Sequence, residues 1–312
     1  NYHYWTQPIP SWLSWYFHWL PSWFHKMSLM ITYVTELILP FFIFFPRRFR
    51  NIACLGIIFL QLMIIITGNY GFFNLLAIIL CLTLLDDQTI PDHFKRIMGG
   101  SSKDRPKFVW LRRWKSVLGT IVLVIFVITG SYYLSLDFRG NRPEVAGQTL
   151  SPSPITNTLV RTAQFSRSMN SYGLFRVMTT TRPEIIISYS MDGKMWTPYQ
   201  FNYKPVNLKA PPPFFFPHMP RLDWQMWFAA LSNYERNPWL IKFMIRLLEG
   251  SPFVLDLLAN NPFPETPPKY IQAVVYDYRF TDTVTKVEKG EWWQREYKGS
   301  YTPVLQLQNF QR

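Results

Sequence analysis

Between Met27 and Phe45 the chain carries one charge, Glu36. A carboxylate in so apolar a run is costly and as a rule turns into a helix bundle. Two chemistries fit it: a proton or substrate site, or a carboxyl hydrogen-bonded to a neighbouring helix. His18 and His25 are seven residues apart, but Pro21 breaks the helix that would align them, so no metal is expected. Cys54 and Cys81 sit in uncharged runs, where a thiol stays buried and inert. The stretch Pro217-His218-Met-Pro-Arg221-Leu-Asp223-Trp224-Gln-Met-Trp227 sets an acid and cationic groups beside two indoles three apart on one helix face. It reads as a packed junction in which Asp223 caps the helix or pairs with Arg221, with an active site as the alternative. The sequence contains no G-x-S-x-G, G-x-G-x-x-G, P-loop or H-E-x-x-H motif. No catalytic residue and no cofactor is assigned.

The elements around these residues are apolar and long. Residues 27–45, 52–67, 70–85 and 117–136 form four runs, the last three without a charge. About twenty apolar residues cross a bilayer. Four spans are therefore expected within a membrane domain over 27–136. Asn74 weakens the third, whose alternative is a re-entrant or buried segment. The loop after the first run holds Arg47, Arg48 and Arg50, and the loop after the third holds Lys95, Arg96, Lys103, Arg105, Lys107, Arg112, Arg113 and Lys115. Basic loops stay cytosolic, which puts residues 1–26 and 137–312 on the opposite side. These loops also supply much of the net charge of +13. That charge suits an anionic membrane leaflet, with membrane lipids as partners, and no nucleic-acid recognition motif accompanies it.

With 312 residues there is room for about two domains. Aromatic residues reach 18% and charged residues only 16%, against about 25% in soluble domains, which excludes wholesale disorder. Two cysteines exclude a disulfide scaffold. The first residue is Asn1, and the chain is expected to lack its N-terminal part.

In residues 1–26 the indoles Trp12, Trp15, Trp19 and Trp23 fall on one helix side, with Pro21 ending or kinking the helix. An interfacial helix on the outer face, a cap over the spans, or an aromatic docking site follows from this. Residues 137–169 are polar and proline-rich, a linker. Residues 170–312 read as a β-rich domain, with strand candidates at 174–180, 184–190, 196–203, 270–280 and 301–307. A helical insert is expected over about 222–259. Short strands with turn signals suggest an antiparallel sandwich. The fold class is thus mixed: a multi-pass helical membrane domain followed by an antiparallel β-sandwich-like domain with a helical insert.

Longer motifs carry a resemblance. Asn170-Ser-Tyr-Gly-Leu-Phe-Arg-Val-Met-Thr-Thr-Thr-Arg-Pro-Glu, Pro217-His-Met-Pro-Arg-Leu-Asp-Trp-Gln-Met-Trp-Phe-Ala-Ala, Asn237-Pro-Trp, Asn261-Pro-Phe-Pro and Pro267-Pro-Lys-Tyr resemble the outer domain of the lipase maturation factor family. Tyr4-Trp-Thr-Gln-Pro-Ile-Pro, Trp23-Phe-His, Val34-Thr-Glu-Leu and Gly68-Asn resemble its membrane half. The resemblance implies a multi-pass protein of the endoplasmic reticulum membrane with a lumenal C-terminal domain. Such proteins assist the folding and assembly of secreted homodimeric lipases, their clients, in a chaperone-like way rather than as enzymes. Arg176, Arg182, His218, Arg221 and Asp223 would be structural members of the motifs. Trp224, Trp227 and Trp239 are the candidate client contacts. The family's distant relation to vitamin K-dependent carboxylase keeps a membrane enzyme using Glu36 as an alternative. A structural lumenal module with another client is the third reading. The outer region has no cysteine and no Asn-x-Ser/Thr acceptor.

Overall fold

The computed structural model describes residues 1–86 apart from 69, residue 89, a helix over 109–138, residues 158, 161, 162 and 165, and residues 178–309 apart from 265. The chain divides into two units, one of residues 1–97 with 178–312 and one of residues 98–177.

The first unit begins with two short helices, α1 (Tyr2–Thr6) and α2 (Trp12–His18). Ser14 Oγ accepts the Ser11 N–H at 3.1 Å and secures the first turn of α2. The break at Trp19–Pro21 ends the aromatic helix, and α3 (Ser22–Tyr33) starts directly after the proline. Pro40 has no N–H to donate and its ring crowds the carbonyl four residues back. The helix changes its winding there: α3 continues as a wide π turn over Val34–Ile38 and a tight 3-10 stretch over Leu39–Phe44. α4 (Arg47–Thr67) follows, 21 residues and about 31 Å long.

α5 (Phe72–Leu82) has 11 residues, about 16 Å of helix, and is shorter than the third span expected over 70–85. Three described helices are apolar and long enough to cross a membrane: Ser22–Phe44, Arg47–Thr67 and Ser116–Ser135. α5 nevertheless runs back along α4. Cys54 Sγ approaches the Cys81 carbonyl at 3.2 Å, and Arg50 pairs with Asp86 beyond the end of α5. At the turn, Gly71 has φ 60°, and a Cβ there would lie 3.0 Å from Met219 Sδ and 3.2 Å from the His218 carbonyl. Only glycine satisfies both the backbone angle and the close approach. The second unit contributes α6 (Val109–Phe138), 30 residues long.

The C-terminal part is built on one antiparallel sheet of four strands: β1 (Pro183–Ser190), β2 (Thr197–Pro198), β3 (Tyr270–Phe280) and β4 (Trp293–Ser300), in the order β2-β1-β3-β4. Between β2 and β3 run α7 (Arg221–Ala230), α8 (Pro238–Leu248) and α9 (Pro252–Leu255). α10 (Thr283–Lys289) joins β3 to β4. Among the described residues there is this one sheet and not the two facing sheets of a sandwich. The physical reason is that helices supply the second layer. α7 packs on β1 and α8 on β3, and α8 buries Leu240, Phe243, Met244, Leu247 and Leu248 along one stripe. Ile185, Ile186 and Ile187 are all buried, so β1 is covered on both faces.

Two expected strands shrink and one unexpected strand is present. The run 196–203 yields only the two residues of β2 and a bridge from Phe201 to Leu258. The run 301–307 yields a bridge from Leu305 to Ile271. The candidate at 174–180 lies outside the described residues up to 177, and 178–180 are not in a strand. β4 is the strand that periodicity missed. It pairs along β3 from Phe280↔Trp293 to Val274↔Ser300, yet its side chains after Trp293 are mostly exposed, so no apolar alternation marks it.

The N-terminal segment packs against the C-terminal part. Trp5 and Trp15 belong to the same hydrophobic core as Ile185, Met226, Met244 and Trp293.

Candidate functional site

Arg182 and Glu184 flank Pro183 at the start of β1, two residues apart and therefore on the same face of the strand. Arg182 Nη2 lies 2.7 Å from Glu184 Oε1, and Lys204 closes on the other carboxylate oxygen. The Arg182 side chain is 1% exposed and that of Glu184 is fully buried. The guanidinium carbon sits 4.9 Å from the centre of the Trp293 ring. Asp277, on β3, accepts the Arg182 backbone N–H at 3.1 Å. Burial pushes the Arg182 pKa down, and the charge and hydrogen bond of Glu184 oppose the shift.

The guanidinium grips the N-terminal segment. Nη1 donates to the carbonyl of Trp5 at 2.8 Å and also to that of Gln7. Nη2 donates to the carbonyl of Pro8 at 2.9 Å. The remaining carbonyl in this run, that of Thr6, accepts from Trp227 Nε1 at 2.9 Å. Four consecutive backbone acceptors of residues 5–8 are thus held by two side chains of the C-terminal part. A planar fork of donors suits this task, which a lysine could not perform.

The same segment grips the membrane helices from its other side. The last carbonyls of α4 have no partner within the helix. Gln7 Nε2 donates to the Thr67 carbonyl at 2.7 Å, Ser14 Oγ donates to it as well, and Ser11 Oγ donates to the Ile66 carbonyl at 2.5 Å. Residues 5–14 therefore form a keystone between the end of α4 and the start of β1.

The other motif residues fall around this joint or away from it. Asp223 is buried and accepts the Tyr203 N–H at 3.1 Å. It neither caps α7, whose cap position is Pro220, nor turns to Arg221, which is exposed. Burial raises its pKa, against the pull of the Lys204 charge. His218 is exposed, and Arg176 lies outside the described residues. Trp224 and Trp227 are buried, so their indoles offer no open surface to a client in this conformation; Trp239 is half-buried. Glu36 stands on the π turn with its side chain exposed, while its neighbour Thr35 is buried. A cleft of about 370 Å³ opens beside the joint, lined by Pro10, Lys204, Pro211–Pro213 and Trp293 among others. Among the described residues no group of three or more His, Cys, Asp or Glu side chains is placed to hold a metal ion.

Glu184, Lys204, Gln7 and Trp293 were not singled out by the sequence. One signal was available for Glu184: a carboxylate heading an isoleucine run must find a cation if that run is buried.

These features define a class: a polytopic membrane protein whose C-terminal sheet domain is keyed to its membrane helices through an N-terminal strap. Comparison with known proteins gives the family. The lipase maturation factor transmembrane domain matches residues 1–92, and the lipase maturation factor C-terminal domain matches residues 168–303. Lipase maturation factor 2 of Homo sapiens is 32% identical over 98% of this chain, and that of Xenopus tropicalis 34% over 98%. Lipase maturation factor 1 of Mus musculus is 32% identical over 99%. The chain spans about half the length of these relatives, 55%, 56% and 55% respectively. No solved structure matches. The chain belongs to the lipase maturation factor family.

Proposed function

We propose that this chain is the part of an endoplasmic-reticulum lipase maturation factor that joins membrane helices to a lumenal client-handling domain. Its clients are secreted homodimeric lipases, which it assists in folding and assembly without chemistry of its own. The observation that carries the reading, beside the family match, is the keystone at residues 5–14. A segment that shares one core with the sheet domain lies on the same side of the membrane as that domain. The chain between them then crosses an even number of times. The paired Arg50 and Asp86 support a return along α5 to the level where α4 begins, and a helix of spanning length, Ser116–Ser135, is available for the last crossing. Basic residues at 47–50 and 95–115 favour the cytosol, which makes the sheet domain lumenal. In this reading Trp227, bound to the strap, and Trp224, against Tyr70 at the α4–α5 turn, serve clients indirectly by holding the domain to the N-terminal half. Client contact falls to Trp239 and to the exposed apolar side chains of the helical insert, Phe228, Leu231, Phe253 and Leu257.

The test is a rescue assay. The full-length protein is expressed in cells lacking their own lipase maturation factor, and the activity of a secreted homodimeric lipase is compared with its mass. Restored specific activity is the expected result. Lipase that remains inactive while the factor is folded and correctly located would overturn the proposal.

A further inference from the structure

The surface beside the first membrane helix carries a feature that the joint at Arg182 does not use. Trp15 Nε1 and Trp19 Nε1 both donate to the carbonyl of Thr281, at 3.0 and 3.1 Å. The next residue, Asp282, caps α10 by accepting the Thr285 N–H at 2.7 Å. α10 therefore starts against Trp19, three residues before α3 begins its apolar run at Ser22. It is seven residues long, about 10 Å. The polar layer on each side of a bilayer core is about 5–8 Å deep. A helix of that length beginning at that place lies at the depth of the headgroups or close to it.

The helix is turned so that its apolar side faces away from the protein. Lys286 points inward: its Nζ lies 4.0, 4.3 and 3.4 Å from the ring centres of Trp15, Tyr16 and Trp292, and 3.1 Å from the Tyr16 hydroxyl. On a 3.6-residue period, with Glu288 beside Val284, the two valines lie about 160° (Val284) and about 100° (Val287) round the helix from Lys286. They are 61% and 85% exposed. A single exposed valine is ordinary, but these two stand on a helix whose Lys286 packs on Tyr16, one of an exposed group of Trp12, Tyr16, Trp19 and Trp23. Indole and phenol rings favour the membrane–water boundary, and the exposed Lys26 and Lys289 flank the group as cations do at such boundaries. Glu288 and the cap Asp282 are the acids of this helix region.

We propose that α10 is a second, peripheral membrane contact of the C-terminal domain, with Val284 and Val287 seated at the boundary between headgroups and acyl chains of the bilayer that α3 and α4 cross. The proposal rests on the membrane assignment of α3 and not on the identity of any client. Its occupant is lipid because the patch is continuous with the point where a spanning helix leaves the bilayer. It fixes the sheet domain to the surface at two places, the keystone and α10.

The experiment uses the complete protein in lipid nanodiscs, with a nitroxide on Val287→Cys and a reference nitroxide on Lys298→Cys in β4. Collision rates with oxygen and with a water-soluble nickel chelate are measured. At 287 oxygen access should exceed chelate access several-fold, and at 298 the chelate should dominate. Adding Val284→Asp should swing the 287 label toward the chelate with circular dichroism unchanged. A 287 label that reads like 298 overturns the proposal. A label shielded from both reagents also overturns it, since that result belongs to a protein contact.

Discussion

Arg182 and Lys286 are two cations of the C-terminal part that hold the same N-terminal segment, in opposite surroundings. Arg182 is buried, neutralised by Glu184, and bound to three backbone carbonyls. Lys286 is half-buried at the edge of the molecule against three aromatic rings and one hydroxyl. Each joins residues more than 170 positions apart. Their energetics differ because removing one partner from a dry ion network strands the others, whereas water replaces a half-buried cation at the edge at little loss. The buried joint sets the architecture and the half-buried one trims it.

The strongest way to break this comparison is Arg182→Met. It leaves one oxygen of the Glu184 carboxylate and the carbonyls of residues 5, 7 and 8 without their donor, and a loss of about 3–5 kcal/mol is expected. A thermal melt in detergent and proteolysis within residues 1–20 would read it. Arg182→Lys keeps the charge but not the fork and should still lose about 2 kcal/mol. Trp227→Phe keeps the ring and removes only the bond to the Thr6 carbonyl, for a loss of about 1–2 kcal/mol in the same melt. Lys286→Met keeps most of the stem packing and should lose about 0.5–1 kcal/mol. If Lys286→Met proved as damaging as Arg182→Met, the distinction between the two joints would be wrong.

The smallest expected effect sharpens the electrostatics of the buried joint. Burial raises the folded-state pKa of Asp223. The native state then holds this proton at pH values where the unfolded chain has released it. The stabilisation is complete below the ordinary carboxylate value of 3.8 and is lost as pH rises through the raised folded value. Replacing Asp223 by Asn should flatten that part of the curve of melting temperature against pH. An unchanged slope would remove Asp223 as its source.

Particular residues show what could be read in advance. β1 and β3 announced themselves through Ile185-Ile186-Ile187 and the Tyr270–Phe280 alternation, because burial leaves an apolar pattern. α8 did so through its apolar stripe behind Pro238. β4 did not, since its stability comes from backbone pairing with β3 and its exposed side chains are free of any pattern. The motif around Asp223 was visible, but its partner was misassigned. A neighbour two residues away was the natural choice, and the actual donor is the N–H of Tyr203, twenty positions upstream. The indoles of Trp224 and Trp227 were equally visible, and only burial told that they face inward.

By itself the sequence determined the apolar runs, the positions of the basic loops, the helical insert and the family. Those properties depend on composition and on short-range periodicity, which the chain displays directly. The tertiary structure decided that residues 5–14 tie α4 to β1, that Arg182 is the centre of the tie, that helices cover the sheet, and that α10 turns two valines outward beside the first span. Each of these depends on which distant groups meet. Backbone carbonyls, which every residue carries alike, leave no mark in the sequence to say that an arginine far along the chain will need them.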